Sequence, residues 1–295
     1  MGLDINSVQF LVDSRKRGIE FGEVVTLGRQ DLNVYPMKLR QYLEKNGISG
    51  AAFSADMKTL FAEPLFLSLG AKKVESLDFS GFEGATFIHD LNQPIGDNLR
   101  ERFDLVYDGG TLEHVFNFPV ALKNCMEMVR PGGWLFLHTI ANNYTGHGFY
   151  QFSPELFFRA FSVENGYNLD RMIVHPVGPY GRWHEVNDPE TIRSRVEAIT
   201  FYPLQLLVRA QRKKVVPIFA TNPQQSDYTP RWDGKEHDSV GADGVRTNPY
   251  APSRPWLART FPALARLLHV ARIGFLTYKN LSLWNRKCFR PVKRP

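Results

Sequence analysis

Gly28, Asp78, Asp90 and Asp108 each stand at the end of a run that reads as a strand, after Val24-Val25-Thr26-Leu27, Glu75-Ser76-Leu77, Phe87-Ile88-His89 and Leu105-Val106-Tyr107. An open α/β sheet binds its ligand at the carboxyl ends of its strands, so carboxylates at such exits are placed to accept hydrogen bonds from a nucleoside. Asp78 suits the two hydroxyls of a ribose, with Phe79 covering an adenine face; a helix N-cap is the other use of such a residue. Asp90 suits an adenine amino group, with the Leu91 amide facing a ring nitrogen, and it suits the start of a turn equally well. In Asp108-Gly109-Gly110-Thr111 the glycines allow backbone to approach a ligand closely.

Candidates for proton transfer come next along the chain. Leu112-Glu113-His114-Val115 reads as a helix-like segment whose His114, with an ordinary pKa of about 6.5, suits a general base. The loop Ala141-Asn142-Asn143-Tyr144-Thr145-Gly146-His147-Gly148-Phe149-Tyr150-Gln151 adds the glycine-flanked His147 as a second base, with Tyr150 and Gln151 as further hydrogen-bonding groups. Either histidine also fits a turn or structural role. No metal centre is expected, because the histidines are dispersed along the chain and the aspartates have a use on an organic ligand.

Bringing these residues together requires strands that alternate with helices. Short β-branched runs predict strands at 23–27, 73–77, 86–89, 103–107, 134–139, 169–175 and 203–210. Helical spacing predicts helices at 36–45, opened by Pro36, at 117–129, and at 154–161 behind a Ser153 cap. The Arg130-Pro131-Gly132-Gly133 turn ends the second of these before the fifth strand. The pattern is that of an α/β fold with a doubly wound, mostly parallel, seven-stranded sheet.

The runs Phe103-Asp104-Leu105-Val106-Tyr107-Asp108, Leu112-Glu113-His114-Val115 and Leu122-Lys123-Asn124-Cys125-Met126-Glu127-Met128-Val129-Arg130-Pro131-Gly132-Gly133 resemble one stretch of a known family. That stretch is the fourth-to-fifth-strand region of class I, Rossmann-like, S-adenosylmethionine-dependent methyltransferases. Residues 203–210 resemble the family's last strand, and the likeness covers roughly 20–210. It implies S-adenosylmethionine as cofactor, held by Gly28, Gln30, Asp78, Phe79, Asp90, Leu91, Asp108 and Gly109. The reaction it implies is methyl transfer to a hydroxyl or amine of a small-molecule or glycan-type acceptor, with His147, His114 and Tyr150 as the groups near the reacting atom.

One loop departs from the family. Thr26-Leu27-Gly28-Arg29-Gln30-Asp31 has a single glycine and lacks the usual acid at the usual place, so Gln30, Asp31 or another residue must anchor the cofactor's amino group. If none does, the chain is a non-catalytic binding or scaffold protein with a degenerate cofactor loop. The long 31–72 stretch predicts an additional helix around 59–69, placed to form part of a substrate lid. A nucleic-acid methyltransferase is a further alternative, raised by the basic tail; the Asn-Pro-Pro-aromatic motif of the amino-methylating enzymes is replaced here by Asp108-Gly109-Gly110-Thr111.

The 295 residues suffice for one sizeable α/β core and an appendage. A 43% apolar and 22% charged composition is that of a folded chain. The net charge of +6 is concentrated at the end: no acid follows Asp243, while arginines and lysines recur to Arg294. The expected organisation is a methyltransferase-like domain over 1–215, a proline-rich linker or arm over 216–255, and a basic amphipathic helical segment over 256–295. That segment suits an anionic membrane surface or a second subunit. No apolar run reaches the roughly 18 residues of a membrane span, and the start does not resemble a signal peptide, which predicts a cytoplasmic protein, peripheral to the membrane if the tail binds one. The two cysteines, Cys125 and Cys288, lack metal or disulfide spacing.

Overall fold

The computed structural model describes residues 2–55, 61–226 and 259–295. Its strands are β1 (Gly22–Leu27), β2 (Ala71–Asp78), β3 (Phe87–Ile88), β4 (Phe103–Asp108), β5 (Val129–Asn142), β6 (Tyr167–Pro176), β7 (Trp183–Val186), β8 (Leu204–Arg212) and β9 (Phe289–Val292). They form one sheet in the order β3-β2-β1-β4-β5-β8-β6-β7-β9. The pairs from β3 through β5 are parallel, and β8 lies antiparallel between β5 and β6. Because β1 has β2 on one side and β4 on the other, the winding reverses there, and the crevice opens at the carboxyl ends of these strands.

All seven expected strands are present, but among the described residues the sheet has nine and is mixed. The additional strands are β7, whose four residues include His184 and Glu185, and β9, drawn from the basic tail. Pro291 is tolerated in β9 because the strand is at the sheet edge, where a missing N–H leaves no ladder bond broken. The Arg130–Gly133 stretch is not a free turn. It is an outward bulge within β5, since Phe103 pairs with Val129 and Leu105 already pairs with Trp134.

The helices are α1 (Ile5–Lys16), α2 (Pro36–Lys45), α3 (Glu63–Ser68), α4 (Phe118–Met128), α5 (Pro154–Ala160), α6 (Pro189–Ile192) and α7 (Pro262–Asn280). The helix expected at 59–69 begins at Glu63, and residues 56–60 lie outside the described part. The sequence reading missed α1 because its buried face includes Asn6, Ser7 and Ser14, which blurs the apolar period. Asp4 caps it, accepting the N–H groups of Asn6 and Ser7 at 2.9 and 3.0 Å.

The core gathers Phe10, Leu11, Phe21, Phe66, Leu105, Tyr107, Phe136 and Trp183. Phe10 lies 5.8 Å from Phe136 and 6.2 Å from Trp183, while Phe66 is 5.4 Å from Tyr107. Each such aromatic contributes about 1.5–3 kcal/mol through burial. Polar contacts fix α1 further: Arg171 donates to Asp13 at 2.8 Å, and Arg209 to Ser14 Oγ at 2.7 Å.

The chain divides into two compact units, one of Met1–Glu185, Tyr202–Pro223 and Pro291–Pro295, the other of Val186–Phe201 and Gln224–Arg290. The residues discussed below as a site belong to the first. In the second, α7 starts at Pro262, as the ring's fixed φ favours, and exposes Leu264, Leu267, Val270 and Phe275. Residues 227–258, most of the expected linker and the start of the expected tail, lie outside the described part. Among the described residues no helix is long and apolar enough to cross a membrane. Both cysteines are free and buried.

Candidate functional site

At the exit of β1 the chain turns through Gly28, whose φ of +70° suits glycine. A Cβ at this position would lie 3.5 Å from Gln30 Nε2, 3.7 Å from Thr111 Oγ1 and 4.0 Å from Asp78 Oδ2. Groups from the ends of β1, β2 and β4 therefore converge around a backbone that has no side chain of its own. Gln30, not Asp31, turns inward: it is buried, its Nε2 donates to the Leu27 carbonyl, and its Oε1 is buried without a hydrogen-bond partner. Gly109 makes room for it, since a Cβ there would sit 2.2 Å from Gln30 Oε1. Asp31 is exposed and acts through its backbone, accepting the Leu3 N–H at 2.7 Å.

Asp78 is half-buried and its Oδ1 accepts the N–H of Phe79 at 2.6 Å; the Phe79 ring is exposed. Asp90 closes its own turn, accepting Asn92 N and Nδ2 at 2.9 and 2.8 Å, and these bonds hold its carboxyl below the usual range. Of its two sequence readings, this geometry fills the turn-forming one. Leu91 is buried, and its carbonyl accepts from Asn124 Nδ2 at 3.2 Å. Asn124, on α4, also binds Gln93 O and Ile95 N, pinning the loop after β3. Sequence reading passed over it, although an amide inside an apolar helical stretch signals a buried hydrogen-bonding duty.

Asp108 is fully buried at the end of β4. Its Oδ1 accepts the Thr111 N–H at 2.8 Å and its Oδ2 has no partner. Burial first, then the charge of Glu113, pushes its carboxyl up to about 8, against the pull of nearby backbone N–H groups. Thr111 ties the two exits together, donating from Oγ1 to Leu27 O at 2.9 Å. Its position three residues after an aspartate was the available signal for that turn.

The histidines dispersed in sequence meet in space. The 3-10 turn Leu112–His114 carries His114 outward and Glu113 inward, and the loop after β5 returns so that the His114 and His147 rings lie 5.0 Å apart. Phe149 N and Tyr150 N both donate to Glu113 O, at 2.8 and 3.2 Å, which anchors the loop. Burial holds His114 below its ordinary pKa; Glu113 pulls it back up, and His147 lowers it further. The Tyr150 hydroxyl donates to Phe116 O at 2.7 Å and its ring stacks on Phe152, so it braces the loop.

No family model matches the chain. A curated relative, the ubiquinone biosynthesis O-methyltransferase of Proteus mirabilis (strain HI4320), is 29% identical over 100 residues, which is 33% of this chain and 41% of the relative. The match thus spans less than half the relative's length. Among solved structures, a S-adenosylmethionine-dependent methyltransferase of Thermotoga maritima is 14% identical, covering 71% of this chain and 90% of its own, with a TM-score of 0.37. The 1,6-didemethyltoxoflavin-N1-methyltransferase of Burkholderia thailandensis is 13% identical, covering 71% and 80%, with a TM-score of 0.36. In its β4-to-β5 sequence and in the strand order β3-β2-β1-β4-β5 the chain resembles the class I, Rossmann-like, S-adenosylmethionine-dependent methyltransferases.

Proposed function

We propose that the chain transfers a methyl group from S-adenosylmethionine to a hydroxyl or amine of a small-molecule or glycan-type acceptor. The observation that carries this reading is the cradle at Gly28, open where a Cβ would stand and ringed by Gln30, Thr111 and Asp78. The unpartnered Oε1 of Gln30 suits the ammonium of the cofactor's amino-acid part, the position where the family's usual acid is missing. Asp78 accepts the ribose hydroxyls, and Gly109 lets the backbone lie close. Bound there, the cofactor supplies a methyl group already activated on a sulfonium. The chain then has to align the acceptor and take its proton. His114, held neutral near pH 7 by its lowered pKa, suits that proton, with His147 beside it.

An oxygen acceptor is favoured by the name of the curated relative, an O-methyltransferase. The exposed leucines, Val270 and Phe275 of α7, with Arg266 and Arg272 among them, support binding of this segment to an anionic membrane surface or to a second subunit. The non-catalytic alternative keeps the cradle as a binding site without turnover. Calorimetric titration with S-adenosylmethionine tests the central reading. Micromolar binding that Asp78→Ala abolishes is the expected result. A folded chain that does not bind the cofactor would overturn it.

A further inference from the structure

We propose that Glu113, His114 and His147 form a binding site for a divalent transition-metal ion at the mouth of the crevice. Each offers one ligand atom, and these atoms lie within 4.8 Å of one another. Two imidazoles and one carboxylate are a donor set that suits zinc, cobalt, iron or manganese. Metal bonds of about 2.0–2.2 Å require the donors to draw somewhat closer, by a small rotation of the side chains.

Three features of the surroundings point to a ligand there. The Glu113 side chain is fully buried, yet only Oε2 is satisfied, by the Thr139 hydroxyl at 3.0 Å; Oε1 has no partner. A buried carboxylate oxygen left bare is costly unless something positive meets it. The Thr139 bond fixes the carboxylate's orientation, the usual duty of a group behind a metal ligand. Next, His147 Nε2 is also buried and without a partner. Finally, the loop is shaped to deliver that ring. Gly146 and Gly148 have φ of +88° and +80°, and a Cβ on Gly148 would stand 2.7 Å from Glu113 O and 3.1 Å from His114 Nδ1. Any side chain at 148 would force His147 away from its two partners.

With an ion bound, neither imidazole is free to take a proton; the open coordination positions would instead hold an acceptor oxygen, orient it and make it more acidic, so that its proton can pass to solvent. This use rests on the methyl-transfer reading, whereas metal binding itself does not. The test is titration of the chelator-treated full chain with Co²⁺ and Zn²⁺, by calorimetry and by the visible absorption of Co²⁺. The expected result is one ion per chain with micromolar or tighter affinity, weakened on the order of 100-fold in His147→Ala and in Glu113→Gln. His147 lies on a loop and its Nε2 makes no hydrogen bond to the protein, so this variant remains informative if the Glu113 substitution fails to fold. Absence of binding by the folded chain, or affinity unchanged in folded His147→Ala, would sink the proposal. S-adenosylmethionine is titrated into the same samples: metal binding without cofactor binding upholds the metal site and removes methyl transfer, and the converse removes only the metal site.

Discussion

Two histidine pairs lie in the same unit and have opposite surroundings. His138 and His175, with rings 5.5 Å apart, are buried under α1; His114 and His147, 5.0 Å apart, stand at the mouth of the crevice. The first pair is tied into the protein through three of its four ring nitrogens, and His175 Nε2 is buried without a partner. Ser7 Oγ and His138 Nδ1 are hydrogen-bonded at 2.6 Å, and His138 Nε2 and Gln205 Oε1 lie 3.3 Å apart. His175 Nδ1 donates to Pro176 O at 2.9 Å, and Asn6 Oδ1 accepts from Trp183 Nε1 at 3.1 Å and from Arg294. The second pair shares its space with a buried carboxylate oxygen and a ring nitrogen that no protein group satisfies. Both pairs leave a ring nitrogen bare; what separates them is the carboxylate of Glu113 beside the second pair, whose buried Oε1 no protein group meets.

Substitutions that break one region and spare the other sharpen this contrast. The largest effect is expected from Trp183→Ala, which empties the core beside Phe10 and frees Asn6: about 3–5 kcal/mol of stability by denaturant unfolding. Cofactor and metal affinity of the remaining folded protein should not change. Gly109→Ala drives a methyl group into Gln30 and should cost about 1–3 kcal/mol through overpacking. Unlike the core variant, it should also weaken cofactor binding about tenfold, some 1.4 kcal/mol. If affinity is untouched, Gln30 is not part of the cofactor cradle.

Ser7→Ala leaves His138 Nδ1 without its hydrogen-bond partner and should cost about 1–3 kcal/mol, with no change in binding at the crevice. The same network predicts a pH dependence. Burial, reinforced by His138, holds His175 down at about 3, against an ordinary 6.5. Below that ordinary value the unfolded chain takes a proton that the folded chain refuses, so stability falls as pH drops from 6.5 toward 3. The slope from this one group is up to about 1.4 kcal/mol per pH unit. Unfolding curves of His175→Gln should lack that component, and an unchanged acid limb would show that His175 is not the group responsible. The smallest effect is expected from Tyr150→Phe, about 0.5–1.5 kcal/mol for the bond to Phe116 O, with the metal site and any turnover retained. A large loss of turnover with stability intact would return Tyr150 to the reacting centre.

The alternation of β-branched runs and helical periods determined the seven main strands and the placement of Gly28, Asp78 and Asp108 at their exits, because strand periodicity and strand ends are local properties. The residues around Leu112-Glu113-His114 and Arg130-Pro131-Gly132-Gly133 were also enough to suggest the family. Local pattern could not determine α1, whose buried face is polar, or β7 and β9, which are too short to signal themselves. Nor could it say which side chains would be left without partners. Asp90 and Tyr150 look as functional in sequence as Asp78 and His147, yet the first uses Oδ1 to close its own turn and the second gives its hydroxyl proton to a neighbouring carbonyl. Only the tertiary structure decided that 33 residues of separation would bring His114 and His147 to one carboxylate, because hydrogen-bond satisfaction depends on which segments the sheet order makes neighbours.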